Sequence, residues 1–213
     1  MRTLTLVLGI CVVAACGDAV RVVKQTIALQ EAFFRQIDKR SPTPAIRDQL
    51  RRLAKAGAGD SVQLLVAQGL ARLNDSTLIR RMELMAIMLE GSEVPICAAL
   101  ARGNPGSGEM TLAMSRLEGG ALEDWAALLI EAQIATLEQR PPRHVKQETL
   151  TQSFRVAIAG MPENEQARLT EILGRYQGAN DQDACWAGRA LLRQGNALPE
   201  PERSQMALGL VQP

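Results

Sequence analysis

Apolar residues recur at steps of three and four along most of this chain, which is the period of an amphipathic helix. Val20, Val23, Ile27, Phe34 and Ile37, with Phe33 beside them, predict a first helix over about 18–39. Ser41-Pro42-Thr43-Pro44 breaks it. Thr43 suits the N-cap of a second helix, and Pro44 its first position, where a missing N–H costs nothing. Ile46, Leu50 and Leu53 line that helix, and Gly57 ends it. Asp60 is placed to cap a third helix through 73, with Val62, Leu65, Val66 and Leu70 inward. Asn74-Asp75-Ser76 is turn and cap chemistry. A fourth helix carries Leu78, Ile79, Met82, Met85, Ala86 and Leu89, and Ser92 and Pro95 restart a short one bearing Ile96, Cys97 and Leu100.

The second half reads the same way. Gly103-Asn104-Pro105-Gly106-Ser107-Gly108 is the longest loop signal. A short helix follows over 109–117, then a long one bearing Leu122, Trp125, Leu128, Leu129, Ala132 and Ala135, which Pro141-Pro142 stops. Further helices are predicted over 144–159, from Pro162 through 175, from an Asn180 cap through Cys185, Trp186, Leu191 and Leu192, and from Pro199 to the last leucines. No stretch alternates as a strand does, and no helix-pair repeat recurs at the 34-residue tetratricopeptide period. The expected fold is all-α: one domain over 18–213, an irregular bundle or array of antiparallel helix pairs.

Composition changes this picture little. Leu, Ala, Met, Glu, Gln and Arg, all strong helix formers, dominate. The 24 basic and 23 acidic residues nearly balance, so the chain lacks the basic footprint of a general nucleic-acid binder. Arginine far outnumbers lysine, which reads as genome composition.

The first residues carry the sharpest signal. Residues 1–16 read MRTLTLVLGICVVAAC: one basic residue, Arg2, then an apolar run ending in small residues. That is the layout of a secretory signal, and the run is shorter than the ~20 residues needed to span a bilayer. Its ending, Val13-Ala14-Ala15-Cys16, resembles the lipobox of bacterial lipoprotein precursors. The resemblance implies a signal peptide over 1–15, cleavage between Ala15 and Cys16, a diacylglycerol thioether on Cys16, and acylation of the new amine by a fatty acid such as palmitate. Residues 16–17 then form the anchor of a periplasmic domain. In that class an aspartate after the cysteine favours the inner membrane. Gly17 stands there instead, so the implied address is the periplasmic face of the outer membrane.

Motifs with chemical meaning are few. The 103–108 loop resembles a phosphate-binding loop, but Glu109 and Met110 stand where the lysine and hydroxyl residue belong; it reads as a mobile connection. His144 is the one histidine, and no set of metal ligands has suitable spacing. No Gly-x-Ser-x-Gly elbow surrounds a serine. Glu118, Glu123, Asp124 and Glu131 are the carboxylates a sugar hydrolase could use, although Glu123 and Asp124 suit a helix N-terminus equally. Arg47, Arg51, Arg52 and Lys55 form a basic stripe on the second helix that could meet anionic headgroups; a solvated face is the simpler reading. Trp125 and Trp186 sit at core spacing. No catalytic, metal or cofactor residues are assigned, and the only prosthetic group expected is the lipid on Cys16.

The function expected is therefore non-enzymatic. It is an interaction module held at the membrane by its lipid, with a protein partner, in the form of an immunity protein or an accessory of an envelope or secretion machine. The alternative is an envelope enzyme hydrolysing peptidoglycan or peptide.

Cys11 falls in the signal and Cys16 takes the lipid, which leaves Cys97 and Cys185. In an oxidising compartment an even pair forms a disulfide. Closing an 88-residue loop, it should stabilise the fold by about 4–5 kcal/mol on the chain-entropy model. Thiol labelling of the unfolded, unreduced mature protein should find neither sulfur free. Two reactive thiols would end the assignment.

Overall fold

The computed structural model describes residues 23–24, 26–55 and 59–212. Among them the chain is helical between short connections and forms no strand, as the spacing predicts. Cys16, Gly57 and the first residues of the predicted first helix lie outside the described residues. Helix α1 covers 26–40, with residues 23 and 24 helical ahead of it. Then follow α2 (Pro44–Lys55), α3 (Gly59–Leu70), α4 (Asp75–Gly91), α5 (Val94–Ala101), α6 (Ser107–Met114) and α7 (Gly120–Leu137). After the double proline come α8 (Gln147–Ala159), α9 (Glu163–Gly174), a 3-10 turn at Tyr176–Gly178, α10 (Asp181–Ala197) and α11 (Glu202–Gly209).

Three caps fall where the sequence puts them. Thr43 Oγ1 accepts from the Ile46 N–H at 3.3 Å, Asn74 Oδ1 from Thr77 at 2.9 Å, and Asn180 Oδ1 from Asp183 at 2.9 Å. Other ends differ. Helix α3 is already helical at Asp60, so that residue is not the cap, and it ends at Leu70 rather than 73. Helix α7 ends before the prolines. Gln139 takes a left-handed conformation, φ 54°, and the Gln139 and Arg140 N–H groups donate back to Thr136 and Ala135. That is the Schellman pattern, usually served by glycine. Helix α8 starts at Gln147, leaving His144 in the preceding loop, and α11 starts at Glu202, beyond Pro199.

The 103–108 segment joins α5 to α6. Gly103, at φ 75°, closes α5, with Gly103 and Asn104 donating to Leu100 and Ala99. Ser107 and Gly108 already belong to α6. Glu109 Oε2 accepts from the Gly106 N–H at 2.7 Å, so the residue standing where a phosphate loop needs lysine holds the start of a helix.

Helix α7 is the centre. Ten of its residues are buried, from Leu122 and Trp125 to Ile134 and Ala135, so it is covered on nearly every side. Its Leu122, Trp125 and Leu128 join the main core with Leu73, Leu78, Met82 and Met88 from one side of the double proline and Ala157, Ala184, Leu192 and Met206 from the other. The Pro141-Pro142 turn therefore does not divide the core. Its Ile130 and Ile134 form a second core with Ile37 of α1 and Leu50 of α2, flanked by Phe33, Phe34, Ile46 and Ala54. A third core lies under α9 and α10, around Leu169, Ile172 and Ala187. The Cys97–Cys185 bond joins α5 to α10 at a Cα–Cα distance of 5.1 Å, both cysteines buried in the main core.

Helix α3 crosses α7 in backbone contact. Gly69 lies so close to Ala132 that a Cβ at position 69 would overlap the Ala132 carbonyl. One turn earlier on α3, the Leu65 carbonyl accepts from Thr136 Oγ1 at 2.8 Å. The clashing atom is main chain, which cannot rotate away. Gly69→Ala should therefore cost about 3 kcal/mol or more, the upper range for overpacking. Gly108 is helical too but faces open space, and Gly108→Ala should stabilise by about 0.5–1 kcal/mol through backbone entropy. Urea unfolding of the two variants should move in opposite directions. A tolerated Gly69→Ala would mean the two helices are not in backbone contact.

Candidate functional site

The exposed edge of α7 carries the carboxylates that sequence reading singles out, and the fold gives three of them arginine partners. Glu123 accepts from Arg35 Nε of α1 at 3.2 Å and from Gln36 Nε2 at 3.0 Å. Asp124 accepts from Arg80 Nε of α4 at 2.9 Å. Glu131 accepts from Arg40 Nη1 at 3.2 Å. Arg80 also holds Glu83, which in turn takes Arg203 of α11, so one chain of alternating charges ties α7, α4 and α11. Glu118 sits in the exposed loop ahead of α7. Local spacing holds no sign of these pairings, because the partners lie 44 to 91 positions away.

These pairs set the electrostatics. Hydrogen bonds from Arg35 and then Gln36 hold the Glu123 carboxyl below the usual glutamate range. A general acid for glycoside cleavage needs the opposite shift. Arg81, next to Arg80, makes no hydrogen bond or ion pair among the described residues, and burial pushes its guanidinium down to about 10.

Beside Glu131 the α1–α2 turn and the end of α7 leave a groove of about 220 Å³. Ile134 and Pro42 give it an apolar floor and wall, and Arg40, Glu131 and Arg140 its charged rim. Arg140 is held by Glu138 at 2.7 Å, and its carbonyl accepts from Arg72 of the α3–α4 turn. The Schellman end of α7 is what turns Arg140 to this place. The groove is smaller than the ~300–1,000 Å³ of ordinary small-molecule pockets; it is the size of a side chain.

The remaining sequence candidates do not converge. Cys16 and Ala15 lie outside the described residues. Trp125 is core, and Trp186 is half-buried on α10 with the Arg168 guanidinium 4.2 Å above its ring. His144 is exposed in the loop before α8. Of the α2 basic residues, Arg51 donates to Asp38 of α1 at 2.7 Å, while Arg52 and Lys55 are exposed and unpaired among the described residues. No group of three His, Cys, Asp or Glu among the described residues is placed to hold a metal ion, and no described helix is long and apolar enough to cross a membrane. No protein-family model, curated protein or solved structure matches the chain.

The Glu123 pairing has a definite pH signature. A carboxyl whose folded pKa is depressed contributes stability above its unfolded pKa and loses it as pH falls through the folded value. The contribution is therefore complete at neutral pH and disappears in the acid range below ordinary glutamate titration. In Arg35→Gln the Glu123 carboxyl should titrate upward, back towards the ordinary range, as read by carbon-detected NMR. An unchanged titration would remove Arg35 as the cause.

Proposed function

We propose that this protein is a lipid-anchored envelope lipoprotein whose helical domain binds a partner protein through the groove at the α1–α2–α7 junction. The groove itself carries the reading. It has an apolar floor and a charged rim, it is sized for a side chain, and it is built on rigid helices on two sides. Partner segments are anchored by one or two side chains seated in such places. The pairing of Glu123, Asp124 and Glu131 with arginines weighs against the hydrolase alternative, since those are three of the four carboxylates it could use. The lipid on Cys16 supplies the address, and two or more acyl chains hold a protein at a bilayer stably where one does not. An immunity protein and an accessory of an envelope machine are the two forms this reading takes.

A photo-crosslinking residue at Pro42, on the groove wall, tests it in living cells. It should capture one dominant partner; the same residue at Gln152, exposed on α8, should not. Capture should fall when Cys16→Ala removes the anchor. The identity of the partner then separates immunity from machinery. Equal capture at both positions, or none under several growth conditions, would sink the interaction reading. Incubation with peptidoglycan, looking for released fragments, would follow.

A further inference from the structure

The groove beside Glu131 offers a partner more than an apolar floor. Two guanidinium groups from different elements border it, Arg40 at the end of α1 and Arg140 just past α7. Arg40 donates from Nε to Gln36 Oε1 at 2.9 Å and from Nη1 to Glu131. Arg140 donates from Nε to Glu138 at 2.8 Å, with its Nη2 2.7 Å from the same oxygen. Each is held on one side only: Arg40 Nη2 and Arg140 Nη1 make no hydrogen bond among the described residues. The two arginine side chains are 39 % and 40 % exposed, whereas Glu131, the one acid on the lining, is 22 % exposed and already accepts from Arg40. A partner therefore meets two cations with unused donors, set around Ile134 and Pro42.

We infer that the groove takes the C-terminal residue of its partner, with an apolar side chain over Ile134 and the terminal carboxylate on the unused donors of Arg40 and Arg140. The inference rests on the partner-binding reading of the groove. Guanidinium N–H groups favour a planar carboxylate, because the charge-assisted bond is about twice as strong as a neutral one. The size of the groove then says where the carboxylate comes from. One side chain fills it, so the apolar group and the anion belong to one residue. An internal Asp or Glu carries its charge at the tip. Inserting it would set a carboxylate against Ile134, which is 3 % exposed and whose side chain has no donor. A C-terminal residue separates the two: its side chain enters, and its α-carboxylate stays at the rim with the guanidinium groups. Arg40 keeps Glu131 through Nη1 and gives the ligand Nη2, so no existing ion pair has to break.

Methyl NMR of the full chain in detergent micelles tests it, with the Ile134 δ1 signal assigned through Ile134→Val. The probes are acetyl-Ala-Ala-Leu as the free acid, the same peptide as its C-terminal amide, and acetyl-Ala-Glu-Ala amide, each at millimolar concentration. The free acid should shift Ile134 saturably. The amide should bind about tenfold more weakly or worse, and the internal acid should leave Ile134 unmoved. Arg140→Gln should bring the free acid down to the affinity of the amide and leave the amide unchanged. The Arg140 side chain meets only the exposed Glu138, so the fold does not depend on it. Equal affinity for acid and amide would overturn the carboxylate. An equal shift by the internal acid would overturn the C-terminus as its source, and no shift with any probe would overturn the inference outright. The crosslinker at Pro42 scores the groove reading separately. Capture of one partner there, with no preference for the free acid, sinks the C-terminal residue alone. Capture through the partner's C-terminal peptide supports both. No capture and no shift sinks both.

Discussion

The contact of Gly69 with the Ala132 backbone is the constraint on which the rest of the fold depends. A helix crossing in backbone contact can sit closer than the 8–10 Å usual for larger side chains. That closeness lets Thr136 reach the Leu65 carbonyl and seals one flank of α7. With that flank closed, Ile130 and Ile134 turn to α1 and α2, and Leu122, Trp125 and Leu128 turn to the main core. The helix is then apolar nearly all round, and only a narrow edge is left for charge. Glu123, Asp124 and Glu131 occupy that edge, which is why each meets an arginine from a neighbour.

Arginine has a second task that composition concealed. The ends of helices leave carbonyls without partners, and this fold answers many of them with guanidinium groups. Arg189 of α10 donates to Leu89 and Ser92 at the end of α4, at 3.0 and 2.8 Å. Arg143 donates to Leu73 and Arg102 to Ala179, at 2.7 and 2.6 Å. A planar group with five donors can serve a carbonyl and a carboxylate together. Arg102 does so with Ala179 and Asp181, and Arg143 with Leu73 and Asp75. Lysine could not fix both directions. The excess of arginine over lysine, read from the sequence as genome composition, therefore has structural employment as well.

What was legible in the sequence was what is local. Helical spacing, the caps at Thr43, Asn74 and Asn180, and the all-α class all follow from neighbours within four residues. The Cys97 and Cys185 pair was legible because only two candidates remained. Gln139 was not, since a left-handed residue other than glycine leaves no mark of its own, and the prolines two residues later offered a plainer stop. Gly69 reads as a weak spot in a helix until a second helix is seen lying on it. The partners of Glu123, Asp124 and Glu131 are tertiary facts. So is the exposure of Val23 and Ile27, which share the helical spacing of the buried Ile37.

The direction of α1 bears on where the proposed groove lies. Arg35 and Gln36 meet Glu123 near the start of α7, and Arg40 meets Glu131 farther on, so α1 and α7 run the same way. The start of α1 and the groove at Arg40 and Pro42 are thus at opposite ends of α1. From Ile27 to Arg40 the separation is roughly 20 Å at 1.5 Å per residue. Cys16 precedes α1 in the chain, so on the lipid-anchor reading the proposed groove would stand at the end of α1 farther from the anchor.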